Sequence, residues 1–590
     1  MKKQSPIYVI GTGLSHDGSA CLLKDGQVCA AIEKERITRI KHDGGNDRAA
    51  IEYLLAAERI KMRDVSLMVQ NANFGMMRYD PGWFIGERAP MEDVPVITIS
   101  HHLAHAYSAF ATGPFEDAAV LIIDGCGNAF DDCLDLDGAI VPSIPDSQTA
   151  SLWYEKDSYY RFGNCAHSTI FKDFSPWGTM KGYPMHPPTT RHSIGGVYAA
   201  ASKYVFNGLE DPGKLMGLAP YGRAGAFEHE VFDLRDGQVF VRYDWMDAFR
   251  TPSHSSSQFK SQFQHYADLA HGIQREVERA VLYVAQARFA TAPSANLCYA
   301  GGVALNAVAN RRLLKEGPYT NLYIQPAAAD NGLAIGCAYY GWFRVLGGGR
   351  PIPSDAVYFG RPYESPEILA TLTKYEALIE WTKADNVADE TATHLAAGKV
   401  VGWFQGGAEF GPRALGNRSI LADPRLPGVR DHINGKVKFR EDFRPFAPAV
   451  TAEDCSTYFE CNHASPHMLL TAPVRQEWRD VLPAIVHCDG SARIQTVDRK
   501  TNERFYDLLG SFKAKTAISV LLNTSLNRRG TPIAETPEDA LVLFLYSAID
   551  FLVLDDYVVR KPPDFPGRMA QFNRLVAKDA PSRGERFFHR

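Results

Sequence analysis

No stretch of this 590-residue chain approaches the roughly 18 consecutive apolar residues of a membrane-spanning helix, so no membrane partner is expected. The opening MKKQSPIYVIG has too short an apolar run for a secretory leader, which makes a cytoplasmic location the default. Cysteine is sparse and scattered. Its ten residues include no CxxC, and the nearest pair is Cys455 and Cys461, so neither a disulfide framework nor a zinc ribbon is expected. Excess positive charge is also missing: a formal net charge of −5 argues against a nucleic-acid partner and confines any anion site to a local cluster. No GxGxxG opens a βαβ unit. The nearest approach to a Walker loop, Gly208–Leu215, has Leu215 where magnesium needs a hydroxyl and Pro212 where a phosphate needs an N–H.

What the chain does hold is a mixed α/β pattern too long for one core. Three apolar runs, Tyr8–Gly11, Ser19–Leu23 and Gln27–Ile32, enclose the turn Lys24-Asp25-Gly26, which predicts a β-hairpin. Between the first two runs lies a polar, Gly-bearing tip containing His16. Ala118–Asn128 repeats the device, an apolar strand followed by Asp124-Gly125-Cys126-Gly127-Asn128. Ala295–Asn306 is a weaker third instance, ending at Gly301-Gly302. Such recurrence, with helical stretches such as Gln274–Ala290 between, predicts an internally duplicated α/β fold. Gly347–Pro353 reads as the linker to a second domain, and the Pro- and Arg-rich residues from Lys561 onward read as an irregular tail.

Two constellations carry chemistry. In Ser100–His105 the imidazoles of His101 and His105 stand four residues apart, on one face of a helix, a spacing that suits two ligands of one ion. Alone the pair equally suits satisfied surface histidines. Asp124 and Asp330, each beyond an apolar strand, would complete a two-imidazole, two-carboxylate set for a divalent ion such as iron(II), manganese or zinc. His102 would face elsewhere. The second constellation runs from Gly411 to Arg444, with eight Lys/Arg against four Asp/Glu. Arginines separated by Gly, Pro and aromatic residues suit fixed guanidinium forks for phosphate better than a solvated helix face. Ion pairing with Asp423, Glu441 and Asp442 is the plainer alternative. Gly301-Gly302 would let a nucleotide lie against backbone at a helix start, although a lone GG is more often a simple turn.

Taken together the motifs resemble the O-carbamoyltransferases of nodulation-factor and antibiotic biosynthesis. The segments carrying the resemblance include HDGSACLLKDG, EKERITRIKHD, SHHLAH, LIIDG, SIGGVY, KLMGLAPYG, GGVALN, PAAADNG, EFGPRALGNRSILADPR, VKFREDFRPFAP, SARIQTV and LLNTSLNRRG. The resemblance implies an actin/hexokinase-like, TsaD-like domain over residues 1–358 and a YrdC-like α/β domain over 359–590. It implies formation of carbamoyl-adenylate from carbamoyl phosphate and ATP (with Mg2+), then transfer to a hydroxyl of a small natural-product-type acceptor. By that resemblance His101, His105, Asp124 and Asp330 hold the metal, expected to be Fe2+. Gly301, Gly302, Asn306 and Lys41 contact the adenylate. Arg413, Arg418, Lys438, Arg444, Arg493, Asn523, Ser525 and Arg528 contact carbamoyl phosphate and ATP, with Arg440 as a neighbour. His16 deprotonates the acceptor. The segment Ser143–Pro188 aligns with no motif and reads as an insertion able to shape an acceptor pocket. A tRNA threonylcarbamoyl-type enzyme or another ATP-dependent enzyme of the fold is the alternative; the first would call for a basic surface and the second would not need the arginine cluster. A homodimer is the generic expectation for a soluble enzyme.

Overall fold

Asp25 and Gly26 both take positive φ, 51° and 81°, the turn geometry that matches the twist of two antiparallel strands. The computed structural model describes residues 5–71, 93–177, 190–207, 212–248, 251–352 and 356–568. In it the expected hairpin is present: β1 (Tyr8–Gly13), β2 (Ser19–Lys24) and β3 (Gln27–Glu33) run antiparallel in sequence. β4 (Val65–Asn71) and β5 (Val96–Ile99) add in parallel beyond β1, giving the order β3-β2-β1-β4-β5.

The order then repeats. β6 (Asp117–Ile123), β7 (Trp153–Gly163) and β8 (Ala166–Pro176) form a second antiparallel trio. After a small ribbon of β9 (Phe232–Arg235) and β10 (Gln238–Val241), β11 (Asn296–Ala300) and β12 (Asn321–Ile324) join β6 in parallel. The resulting sheet, β12-β11-β6-β7-β8, has the topology of the first. This is the duplication expected of the actin/hexokinase-like class. It also corrects one reading: most of Ser143–Pro188 is no insertion, because its centre is the β7–β8 hairpin, counterpart of β2–β3. Residues 178–188 of that segment lie outside the described residues, as do 208–211 of the Walker-like stretch, Pro353 of the linker and the tail beyond Arg568.

Helices His101–Thr112 and Leu333–Tyr340 pack between the two sheets, in a core with Val9, Val69, Ile122 and Tyr160. Gly336 allows their close approach, since a Cβ there would collide with the Ala104 carbonyl oxygen. The long helix Phe263–Thr291 covers the outer face of the second sheet together with Ile194–Phe206.

The C-terminal part is built on one eight-stranded mixed sheet. Its strands are β13 (Glu380–Lys383), β14 (Val401–Phe404), β15 (Arg418–Ala422), β16 (Ala447–Thr451), β19 (Gln495–Val497), β20 (Val520–Ser525), β21 (Phe551–Leu554) and β22 (Tyr557–Arg560), while β17 (Thr471–Pro473) and β18 (Ser491–Arg493) form a separate pair. Strand alternation gives it two cores: Val401 and Trp403 face one with helix Glu503–Thr516, and Phe404 faces the other with helix Pro537–Leu545. Among the described residues no helix is long and apolar enough to cross a membrane.

Candidate active site

Ser100 follows β5 in extended backbone, and the chain turns into a helix at His101, which sets His101 and His105 one turn apart. Both rings are buried. The His101 backbone N–H donates to the Asn128 side-chain oxygen at 2.6 Å, and Asn128 is itself held by the buried carboxylate of Glu155, which accepts its N–H at 2.9 Å. Behind Glu155 stands the buried Lys172, paired with Glu155 and, at 2.8 Å, with Asp135. His102 is indeed directed away, with its Nδ1 2.7 Å from the Ser158 hydroxyl.

Asp124 follows β6 and Asp330 follows β12, and the structure brings both carboxylates to the histidine pair. His101 Nε2 lies 3.0 Å from Asp124 Oδ2 and 3.5 Å from Asp330 Oδ1; His105 Nε2 lies 3.6 Å from each. The two imidazole Nε2 atoms are only 3.1 Å apart. All four side chains are buried, with ligand atoms within 4.8 Å of one another. Burial alone would raise both carboxyls, but hydrogen bonds and attraction from the histidines hold Asp124 and Asp330 well below the usual range. Burial opposes protonation of His105, yet the two carboxylates push it up to about 9. Two nitrogens and two anionic oxygens converging on one buried point fit a borderline divalent cation. The set straddles the duplication: the histidines follow the first sheet, the aspartates belong to the second.

Asp124 is aimed by Gly302, whose N–H donates to Oδ1 at 3.0 Å, so the GG turn and the carboxylate cage are one construction. Asn306 caps helix Ala307–Glu316, accepting from the Ala309 N–H, and exchanges hydrogen bonds with Gln274. Its amide is thus engaged within the protein. Lys41 sits at the surface, 2.8 Å from Glu35. His16 stands on the tip between β1 and β2, 57% exposed, with Nδ1 3.3 Å from Asp330 Oδ2 and Nε2 3.5 Å from Asp17 Oδ2. His42 holds Asp17 from behind at 2.7 Å. No spacing marks out Asp17 or His42; only their place in short polar stretches hints at them.

The basic cluster gathers at one end of the C-terminal sheet. Burial, reinforced by Arg413, Arg440 and Arg444, drives Arg493 well below its ordinary pKa. Arg413 falls to about 10 through burial and the nearby Arg444, and Lys438 and Arg440 are depressed in the same way. The Nε atoms of Arg413 and Arg493 are buried without a hydrogen-bond partner. Mutually repelling cations crowded together in this way would suit a multiply charged anion. Glu441, the counter-ion the plainer reading offered, is shared among Lys214 at 3.5 Å, Arg529 at 3.3 Å and Arg444 at 3.9 Å. Asp423 is taken by Arg425.

Not every predicted contact faces the recess. Arg418 spends its guanidinium on the carbonyls of Gln405, Asn417, Gly406 and Glu535 and stacks on Phe404, so it is turned away from the other cations and fixes the loop instead. Asn523 donates to Gln495 at 2.8 Å, and Ser525 lies 3.0 Å from Lys438 Nζ. Arg528 is half-buried near Tyr546, with burial lowering its pKa.

Arg444 owes its position to its neighbour. Phe443 is plugged into the N-terminal core among Phe206, Tyr221, Phe259 and Phe263. Truncating a buried Phe costs about 3–5 kcal/mol, which here falls on the loop carrying Arg440 and Arg444. Phe443→Ala should therefore destabilise the protein by about 3–5 kcal/mol, whereas Phe443→Leu, which keeps most of the plug, should cost under about 1.5 kcal/mol. Denaturant unfolding of both variants checks this.

Against this geometry the comparisons are specific. A carbamoyltransferase N-terminus model matches residues 9–78 and 86–339, and a carbamoyltransferase C-terminus model matches 392–561. The chain belongs to the carbamoyltransferase family. The nodulation protein NolNO of Sinorhizobium fredii is 32% identical, over 92% of this carbamoyltransferase and 79% of that protein. NolO of Bradyrhizobium diazoefficiens is 34% identical over 79% of each. An uncharacterised protein of Synechocystis sp. is 35% identical over 92% of this chain and 95% of its own. Among solved structures, T. kodakarensis HypF is similar over 59% of this carbamoyltransferase and 50% of that chain, at 15% identity and a TM-score of 0.36.

Proposed function

We propose that this carbamoyltransferase works in two stages, divided between residues 1–358 and 359–590. The observation that carries the reading is the pairing, in one chain of this family, of a buried two-histidine, two-aspartate cage with a cluster of half-buried, mutually repelling cations around the buried Lys438.

In the first stage Arg413, Lys438, Arg440, Arg444 and Arg493 bind the phosphates of carbamoyl phosphate and ATP. Carbamoyl phosphate yields its phosphate to water, and the carbamate oxygen attacks the α-phosphorus of ATP, expelling pyrophosphate and leaving carbamoyl-adenylate. Side-by-side binding supplies the proximity, and the fixed guanidinium groups stabilise charge as it builds on the phosphates. In the second stage an acceptor hydroxyl attacks the carbamoyl carbon, the bond to AMP breaks, and AMP leaves. His16, exposed at the tip, takes the hydroxyl proton. His101, His105, Asp124 and Asp330 would hold a divalent ion, for which we favour iron(II), and it would supply Lewis-acid charge neutralisation and a template for the adenylate. The acceptor class we favour is a small hydroxylated natural product, in keeping with a chain that is acidic overall.

His16→Asn should leave carbamoyl phosphate-dependent ATP/pyrophosphate exchange in place while lowering transfer by about 10²–10⁴-fold. Incubation with ATP, carbamoyl phosphate and a panel of hydroxylated compounds, followed by mass detection of the carbamoylated product, measures the second stage. Equal loss of both activities would overturn the role given to His16, and no exchange in the wild type would overturn the two-stage reading.

A further inference from the structure

Glu33 ends β3 and Arg36 lies one helical turn on, and both side chains are buried where the N-terminal part meets the C-terminal part. Between them they hold both polar groups of a single residue. Glu33 Oε1 accepts the Gly411 N–H at 2.6 Å, and Arg36 Nη2 donates to the Gly411 carbonyl at 2.7 Å. Arg36 Nε lies 3.0 Å from Glu33 Oε2, which ties the two arms together. Gly411 has φ of 125°, a backbone that side chains rarely adopt, and it sits beside Pro326 and Ala327. It opens the loop that carries Arg413 two residues later.

The same Glu33 oxygen also accepts from Asn331 Nδ2 at 3.3 Å, and Asn331 is the residue after Asp330. The next residue along from Glu33, Lys34, donates its N–H to the Gly18 carbonyl at 2.8 Å, at the base of the tip bearing His16. One carboxylate therefore touches the start of the anion loop and the loop of the aspartate cage, and its strand end is bonded to the tip.

We propose that Glu33 and Arg36 are positioning residues that couple the two half-sites, so that filling the cation recess orders the loop carrying Asp330. This rests on the reading of the recess as a phosphate site. A carboxylate with a shared acceptor oxygen suits such a link, because a shift of Gly411 as Arg413 engages an anion obliges the Asn331 bond to adjust with it. Glutamine cannot replace it, because one of its two terminal atoms is a donor and must face either Arg36 or the N–H groups of Gly411 and Asn331.

Hydrogen exchange on the full chain, with phosphonoacetamide as a stable stand-in for carbamoyl phosphate, tests the coupling. In the wild type, exchange should slow on the order of fivefold or more both in a peptide spanning 411–418 and in one spanning 326–333. In Glu33→Gln the first protection should persist and the second should vanish. If Glu33→Gln does not fold, Asn331→Ala, which removes only the second arm, should give the same split. Protection of 411–418 without any of 326–333 in the wild type would overturn the coupling while leaving the phosphate site standing. Protection in neither peptide would overturn the phosphate reading itself, and the coupling with it. Unaltered protection of 326–333 in the variants would show that the signal bypasses Glu33.

Discussion

Arg493→Ala will reduce carbamoyl phosphate-dependent ATP/pyrophosphate exchange by about 10²–10³-fold, the loss typical when one preorganised charge donor is taken from a transferring group. Arg493 ends β18 and is half-buried beside Arg413, Arg440 and Arg444, which disfavour its own charge. Those cations are held together against their repulsion by packing and by hydrogen bonds to side-chain and backbone oxygens. Arg440 is pinned to Asn434 at 2.7 Å and lies over Phe446, and Lys438 reaches the Ser525 carbonyl at 2.7 Å. An arriving polyanion relieves that repulsion, so each cation contributes more to binding than an exposed one would. Folding should be untouched or improved by the substitution, because one repelling charge is removed. A raised or unchanged thermal midpoint together with lost exchange is the expected pair of results. Exchange at the wild-type rate would place the phosphates elsewhere.

The second large effect is expected at the cage. His101→Ala should abolish stoichiometric binding of a divalent ion and carbamoyl transfer, yet retain exchange, because the recess lies in a separate sheet. Asp124→Asn should weaken the metal by at least about tenfold, since it removes an anionic ligand that Gly302 also positions. The wild-type affinity should depend on pH in a defined sense. With no ion bound, His105 keeps its proton up to about 9, so below that pH a metal must displace a proton from it. Affinity therefore rises with pH, by as much as about tenfold per unit for one proton, and levels off above about 9. Titrations of metal binding at several pH values, with bound metal measured after gel filtration, cover the wild type and both variants. Parallel loss of exchange and transfer in His101→Ala would count against two separate stages.

Much of this is readable from local pattern, and the reasons for the rest are physical. The β2–β3 hairpin announces itself because strand alternation and an Asp-Gly turn are short-range properties, whereas its counterpart β7–β8, turning at Asn164-Cys165, carries no such signal and reads as an insertion. His101 and His105 can be paired because helical spacing brings residues four apart together. Asp124 and Asp330 are legible as carboxylates beyond apolar strands, though only the parallel placement of β6, β11 and β12 brings them to the same histidines. Arg418 shows the limit. An arginine in a Gly- and Pro-rich stretch looks the same whether it faces a ligand or four backbone carbonyls, and the fold decides which. Asn306 is a similar case, its amide taken by a helix cap and Gln274. Glu33 is hidden for another reason: its partner Gly411 lies 378 residues away. Phe443 reads as one aromatic among many, since nothing local tells which core a phenylalanine will enter.

The doubled sheet order has one further consequence. The cage takes its imidazoles from the helix after one repeat and its carboxylates from the other, so a cation there would act as a stitch across the seam between them. Chelation would then be felt as a loosening between the repeats, read as faster hydrogen exchange in the helices His101–Thr112 and Leu333–Tyr340 that pack between the two sheets.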